Sequence, residues 1–223
     1  GIYTATHIKQ IHKIKDASFD PVNVTREQAV ELRHKKFPVI NDKKGEAMIA
    51  DIEAARMALD SVGGIIECAV TNVPAGIGSP IFEGLENSIS QLVFGIPAVK
   101  GIEFGSGFGF AGMRGSQAND PFRIKDGKVV TLTNHNGGIN GGITNGMPVV
   151  FNMAVKPTPS ISKPQETVDF RHASEVSLSL KGRHDPAIIR RICPVITALV
   201  AVVVCDAVSL RFGTDYFTGK NRI

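Results

Sequence analysis

The sequence lacks tryptophan and has only two tyrosines and three cysteines in 223 residues. A nucleic-acid-binding domain would therefore have to build its base-stacking surfaces from the 12 phenylalanines. The formal net charge of +4 favours anionic ligands, but the 25 lysines and arginines are scattered along the chain. Nucleic-acid-binding proteins usually concentrate such cations on one face. We therefore expect no nucleic-acid partner.

The cysteines, Cys68, Cys193 and Cys205, form no CxxC pair and have no metal-ligand spacing. This pattern predicts three buried free thiols in a reducing compartment and no metal site. Long apolar runs are also missing, since residues 192–205 form a stretch of 14 residues where a bilayer span needs roughly 20. We predict a core helix there, buried on every side within the domain or at a subunit contact, in a cytoplasmic protein without a membrane partner.

The chain begins GIYTATHIKQ, with no charged leader, no apolar leader segment and no initiator methionine. A start on a strand-like pattern predicts that something upstream is missing. No internal repeat or low-complexity linker is visible. We therefore expect one domain over residues 1–223, incomplete at its N-terminus.

Helical and strand-like patterns alternate along the chain, which predicts an α+β fold. A capping box at residues 25–28 opens one helix, and Asn41 or Asp42 is placed to cap the next. Asp185 followed by Pro186 is predicted to open the last helix. The other predicted elements are strands at 2–15, 64–73 and 99–104, a helix at 81–94, a hairpin-like pair KVVTLTN…PVVFNMAV, and a short strand SEVSLSL.

Two glycine-rich segments suggest ligand-binding loops. GFGFAG, residues 107–112, fits the G-x-G-x-x-G dinucleotide motif, but turn-forming residues follow it where that motif needs a helix. A bend in which backbones approach closely is the favoured interpretation. NHNGGINGGITNG, residues 134–146, is rich in residues that accept positive φ, so it could expose N–H groups to an anion. The alternatives are a flexible hairpin loop and a folded loop packed on the core through Ile139 and Ile143.

Two further segments carry groups suited to anions and to proton transfer. In KPTPSIS, Lys156, Thr158 and Ser160 alternate along an extended chain and could face a phosphate; an ordinary exposed strand end is the alternative. In KGRHDP, Asp185 could be an acid–base carboxylate beside an anion-binding Arg183. It could equally cap the helix and pair with Arg183, and His184 could be a solvated loop residue or a proton shuttle.

Together these segments resemble chorismate synthase. The matching segments, in order, are SVGGIIECAVTNVPAGIGSPIFEGLE, IPAVKGIEFGSGF, MRGSQANDPF, TNHNGGINGGITNG, MAVKPTPSI and KGRHDPAI, and the resemblance covers residues 1–212. It implies an α+β sandwich of helices between antiparallel β-sheets, assembled as a homotetramer. It implies a shikimate-pathway lyase that converts 5-enolpyruvylshikimate 3-phosphate to chorismate and phosphate by 1,4-anti elimination. Reduced FMN is the implied cofactor, and NADPH is associated with the family.

The resemblance also implies site residues. Asp185 matches the carboxylate that works with flavin N5 in removing the C6 proton. The matching flavin contacts are Ala98, Gly141, Lys156, Pro157, Thr158, Pro159, Ser160 and Arg183. Some members of the family have Asn where this chain has Pro97.

The front of the family pattern is absent. No GESHG motif, arginine cluster, GHAD histidine or R-x-SARET flavin segment occurs in this sequence. The chain therefore resembles the C-terminal two-thirds of the enzyme. Two hypotheses follow: a part of the enzyme on which the flavin and proton chemistry sits, or a non-catalytic module that binds flavin or anions.

Overall fold

A computed structural model describes residues 1–219, so the last four residues of the predicted domain lie outside the described residues. The strands are β1 Tyr3–Ile11, β2 Ile14–Lys15, β3 Gly64–Thr71, β4 Val99–Phe104, β5 Phe122–Lys125, β6 Lys128–Thr131, β7 Ile139–Asn140, β8 Ile143–Thr144, β9 Val149–Val155, β10 Gln165–Asp169 and β11 Ser174–Leu178. The α-helices are α1 Arg26–His34, α2 Asp42–Met57, α3 Leu85–Phe94, α4 Gly115–Ala118 and α5 Ile189–Phe212. Short 3₁₀ turns occupy Ile81–Glu83, Gly107–Gly112 and Thr214–Thr218.

One antiparallel sheet of five strands organises the chain, in the order β2-β1-β3-β9-β4. Strand β9 is nearly all apolar and lies between β3 and β4, pairing with both. Its sequence, VVFNMAV, suits a strand buried on both faces. The remaining strands form three separate two-stranded hairpins, β5-β6, β7-β8 and β10-β11.

The first two helices begin where the sequence places their caps. The Thr25 side chain accepts from the Gln28 backbone N–H, and the Gln28 side chain accepts from Thr25 in return, which confirms the predicted capping box. Asn41 caps α2 by accepting from Lys44, so Asn41 rather than Asp42 is the cap. The predicted helix at 81–94 is a 3₁₀ turn followed by α3.

The main core lies between one face of the sheet and the helices α2, α3 and α5. Fully buried Ile8, Ile66 and Phe151 of the sheet belong to the same cluster as Ile89 of α3 and Ile196 of α5. A second, smaller cluster on the other face joins the sheet to α1 and the segment before it. The α+β prediction is confirmed, because the chain combines helices with an antiparallel sheet.

A row of polar side chains crosses the face of the sheet opposite α5. His7, Glu67, Asn152 and Glu103 are consecutive cross-strand partners on β1, β3, β9 and β4. Lys9 completes the row, because its Nζ donates to Glu67 Oε1 at 2.8 Å and to Asn152 Oδ1 at 3.0 Å. His7 is fully buried and Glu67 is 3% exposed. We call these five residues the polar row.

Three predictions about the fold are wrong: the single strand over 2–15, which is the hairpin β1-β2, the hairpin of KVVTLTN with PVVFNMAV, and the burial of Cys205. KVVTLTN does not pair with PVVFNMAV: β6 pairs with β5, while β9 completes the central sheet. The apolar stretch 192–205 belongs to a longer helix, the 24-residue α5, which is long and apolar enough to cross a membrane by length and composition. Its most apolar 18 residues are 39% buried within this chain, so burial of the remaining face at a subunit contact stays a prediction. Cys205 of α5 is exposed, whereas Cys68 and Cys193 are buried.

Candidate functional site

The segment 156–160 leaves the end of β9 and runs beside residue 98. The Lys156 backbone N–H donates to the Ala98 carbonyl oxygen at 2.9 Å. Ala98 has a φ of +74°, a conformation that costs free energy for any residue with a side chain. The structure thus places together two of the regions that the resemblance assigns to flavin binding. Whether they contact flavin stays a prediction.

The segment around Asp185 lies at the same end of the sheet. The Ser61 hydroxyl donates to the Thr158 carbonyl oxygen at 2.7 Å, and the next residue, Val62, donates its backbone N–H to Pro186 at 2.8 Å. Two consecutive residues therefore hold the 156–160 segment on one side and the Asp185–Pro186 turn on the other. Ser61 and Val62 carry no recognisable signal in the sequence, because only the folded chain brings them between the two motifs.

Asp185 does not cap the last helix, contrary to the sequence prediction. The N-cap of α5 is Ile188, and Asp185 Oδ1 instead accepts the N–H of Ala187 at 3.2 Å, closing a local turn before the helix. Its Oδ2 lies 2.6 Å from Arg191 Nη2. The predicted partner Arg183 is therefore not the one found. The Asp185 side chain is 24% exposed, so a bound molecule can reach it.

Two exposed cations flank this region. Lys156 and Arg183 both lie in the solvent, and neither forms an ion pair within residues 1–219. Their charges are therefore free to meet an anionic group such as a phosphate. His184 is half-buried, with Nε2 3.4 Å from the Leu180 carbonyl oxygen, which is the contact of a loop residue and shows no proton-shuttle partner.

The glycine–asparagine loop is folded rather than flexible. Asp120 holds it by accepting hydrogen bonds from the backbone N–H groups of His135 and Asn136, at 2.7 and 2.9 Å. These bonds lower the pKa of Asp120 against the opposing effect of burial. Since these two N–H groups are already used, they cannot also hold an anion. Ile139 is buried, which confirms a loop packed on the core.

Gly141 lies in this loop, away from the other candidate residues. The loop joins the sheet at the first residues of β9, where Val150 donates its N–H to Gly137 at 3.1 Å. Lys156 follows the last residue of β9, and the seven residues of that strand cover roughly 20 Å. Within one chain, the structure therefore does not bring Gly141 together with Ala98, Lys156 and Asp185.

The G-x-G-x-x-G match has no dinucleotide-binding context. Residues 107–112 form a 3₁₀ turn after β4, with no long helix behind it. Gly107 has a φ of +50° and packs against the Glu103 side chain so closely that a Cβ would clash. The predicted close approach of backbones is therefore not found in this segment, because Gly107 meets a side chain and Gly109 and Gly112 have no neighbour within 4 Å.

One buried polar atom at the candidate site has no protein partner. Thr158 Oγ1 is shielded from solvent and makes no hydrogen bond among the described residues. Such a buried hydroxyl costs about 1–3 kcal/mol unless something satisfies it. Lys156 lies two residues before Thr158, and Arg183 lies two residues before Asp185. With these cations, the unpaired hydroxyl fits a ligand that carries both hydrogen-bonding groups and negative charge. FMN is such a ligand. No group of three or more potential metal ligands occurs within residues 1–219.

Comparisons with known proteins agree on one family. The family model for chorismate synthase matches residues 1–209. The chorismate synthase of Thermococcus kodakarensis is 47% identical over 206 residues, which are 92% of this chain and 56% of the relative. That of Pyrococcus abyssi is 44% identical over 211 residues, which are 95% of this chain and 57% of the relative.

A solved structure supports the same assignment. A crystal structure of a chorismate synthase matches with a TM-score of 0.77 and 26% sequence identity, covering 98% of this chain and 60% of that one. The fold predicted from the resemblance is therefore confirmed. The chain spans little more than half the length of the curated relatives that it matches. On the family model, the relatives and the fold together, this chain belongs to the chorismate synthase family.

Proposed function

We propose that this chain forms the flavin-binding and proton-accepting part of a chorismate synthase. The proposed reaction converts 5-enolpyruvylshikimate 3-phosphate to chorismate and phosphate, with reduced FMN as the cofactor. The observation that carries the proposal is the convergence of Ala98, the 156–160 segment and Asp185 at one end of the sheet. Family membership supports it, because the chorismate synthase family model and a solved chorismate synthase structure match nearly the whole chain.

The site residues divide the work by their chemistry. Lys156 and Arg183 supply positive charge for anionic groups, and the unpartnered hydroxyl of Thr158 supplies a hydrogen bond. Pro157 and Pro159 stiffen the segment that presents these groups, because the proline ring fixes φ. Ala98 and Ser160 contribute contacts at the two ends of this segment, and Gly141 is proposed to reach the flavin of another subunit in a homotetramer.

Reduced FMN, when bound, would supply electron density to the substrate ring while the phosphate group of the substrate leaves. Asp185 is the carboxylate proposed to work with flavin N5 in removing the C6 proton of the substrate. Its Oδ2 is committed to Arg191 at 2.6 Å, whereas Oδ1 accepts a single, longer hydrogen bond of 3.2 Å from Ala187. Oδ1 is therefore the atom with the capacity to take up a proton. Arg191 fixes the orientation of the carboxylate while this happens.

A second function is a flavin- or anion-binding module without catalysis. It is favoured by the exposed Lys156 and Arg183, which form no ion pair within residues 1–219 and suit anion binding whether or not a proton is transferred. Anaerobic mixing of the chain with reduced FMN and substrate distinguishes the two. Phosphate release and chorismate absorbance support the enzyme, while flavin binding without product supports the module. Absence of flavin binding, with the N-terminal region of a relative also supplied, overturns both.

A further inference from the structure

The linker between α2 and β3 touches both halves of the candidate site, and the proposed function gives it no role. This linker, residues 59–63, is called the bridging segment below. It combines a positive-φ residue, Leu59 at +59°, with a glycine, Gly63, that packs against the backbone leaving β9. A Cβ at Gly63 would lie 2.9 Å from Pro157 N, so the close approach depends on glycine at this position.

The bridging segment holds residues 156–163 at two places. At one, the Ser61 hydroxyl donates to Thr158 O at 2.7 Å. At the other, Lys163 donates its backbone N–H to Leu59 O at 3.3 Å and its Nζ to Asp60 Oδ2 at 2.6 Å. The Lys163 ammonium and the Ser61 backbone N–H hold the pKa of Asp60 below its usual value, so the contact is ionic at neutral pH.

The same segment holds the Asp185 turn. Val62 donates its N–H to Pro186 O at 2.8 Å, one residue after Ser61. The separation between the 156–160 segment and the Asp185 carboxylate is therefore set by two adjacent residues of one short linker. Ser61 is half-buried, and its hydroxyl forms the hydrogen bond to Thr158 O.

We propose that Ser61 is a positioning residue for the flavin site, a role that rests on the proposed function of that site. By fixing the Thr158 carbonyl, the Ser61 hydroxyl orients the same residue whose own hydroxyl Oγ1 has no hydrogen-bond partner within residues 1–219. Because the next residue, Val62, holds the Asp185 turn, the Ser61 hydroxyl also fixes the position of Thr158 relative to that turn. Ser61 acts through Thr158 and does not itself touch the reacting atoms.

The test compares Ser61→Ala with Ser61→Thr and with a matched control. Ser209→Ala is the control, because Ser209 Oγ donates a bond of similar length, 2.8 Å, to a backbone carbonyl, Cys205 O, but within one helix, far along α5. Affinity for reduced FMN is measured by anaerobic titration, together with the visible absorption of bound flavin. Removing one such hydrogen bond is expected to weaken FMN binding about fivefold in Ser61→Ala. Ser61→Thr, which keeps the hydroxyl, and Ser209→Ala are expected to bind like the unaltered chain.

Hydrogen exchange of the ligand-free chain gives a second readout that does not depend on flavin. Peptides covering 156–163 and 181–188 are expected to exchange faster in Ser61→Ala and at the unaltered rate in Ser209→Ala. Faster exchange confined to residues 156–163, or an unchanged exchange rate in both peptides, overturns the positioning role even if FMN binding weakens. If the unaltered chain binds no FMN, the proposed function fails, and the exchange comparison alone decides whether Ser61 couples the two segments.

Discussion

The buried histidine of the polar row makes the stability of this chain depend on pH. His7 Nε2 lies 2.8 Å from Glu67 Oε2, and Nδ1 lies 3.3 Å from Asp16 Oδ2, a distance suited to ionic attraction but without hydrogen-bond alignment. Burial opposes the imidazolium and lowers the pKa of His7. The two carboxylates outweigh burial, so the pKa is raised above the ordinary value of 6.5.

The direction of these shifts fixes the pH window. Because the pKa of His7 is raised on folding, its stabilisation is complete below pH 6.5 and is lost as the pH rises through the folded-state value. Burial raises the pKa of Glu67, but His7 and Lys9 outweigh it, so the pKa is lowered. The stabilisation from Glu67 is therefore lost as the pH falls below its ordinary value of 4.5. The network is strongest between these limits.

His7→Leu tests this account. Removing one partner of a buried ion pair typically costs about 3–5 kcal/mol, and we expect that loss near pH 6. Between pH 6.5 and the folded-state pKa, the unaltered chain loses about 1.4 kcal/mol of stability per pH unit through this proton. The variant lacks that proton, so the difference between the two should shrink at the same rate.

Urea denaturation followed by far-UV circular dichroism, from pH 5.5 to 8.5, measures the difference, since the chain has no tryptophan to report by fluorescence. His12→Leu is the matched control, because His12 contacts Asp51 at 3.2 Å from the surface, where ion pairs contribute about 0–1 kcal/mol. A destabilisation of His7→Leu that is equal at both ends of the pH range would refute a protonated His7.

Three further predictions follow from the site and the surface. Asp185→Asn, in a chain that carries the N-terminal region of its relatives, should lower kcat by about 10²–10⁴ with nearly unchanged FMN affinity, and normal turnover would remove the proton-accepting role. Reduced FMN should bind more tightly than NAD in equilibrium titrations, although weakly in the chain alone; a preference for NAD would contradict the assignment of the 156–160 segment. The exposed apolar face of α5, which includes Val202 at 60% exposure and Leu210 at 79%, should drive self-association in sedimentation experiments. A monomer at high concentration would count against it.

Local signals in the sequence predicted local structure well. The Thr25 capping box and the Asn41 cap depend on residues three positions apart, and both are found as predicted. Asp185 was misassigned as a cap because the same residue type also closes turns, and the side chain satisfies Ala187 and Arg191 instead. Because aspartate is common both at helix caps and in turns, the choice between the two roles depends on which donors lie near it in the folded chain.

Long-range pairing was beyond the sequence patterns. The strands of KVVTLTN and PVVFNMAV are close in the chain and both β-branched, which suggested a hairpin, but burial of both faces of β9 is satisfied only between β3 and β4. The polar row was missed for the same reason. His7, Glu67 and Asn152 are separated by 60 and 85 residues and meet only once the strand order is known. The resemblance supplied the site residues, and the structure brings all of these except Gly141 to one end of the sheet.

The position of β9 has a consequence for how the chain folds. Strands β1 and β3 can pair early, but β4 has no neighbour in the sheet until β9 arrives, about 45 residues after β4 ends. Folding is slow when a long loop must close before its ends form stabilising contacts. While the ribosome synthesises residues 105–148, one edge of β3 and one edge of β4 lack β9, the strand that pairs with both. We expect the nascent chain to depend on chaperones during this interval, because unpaired strand edges favour aggregation.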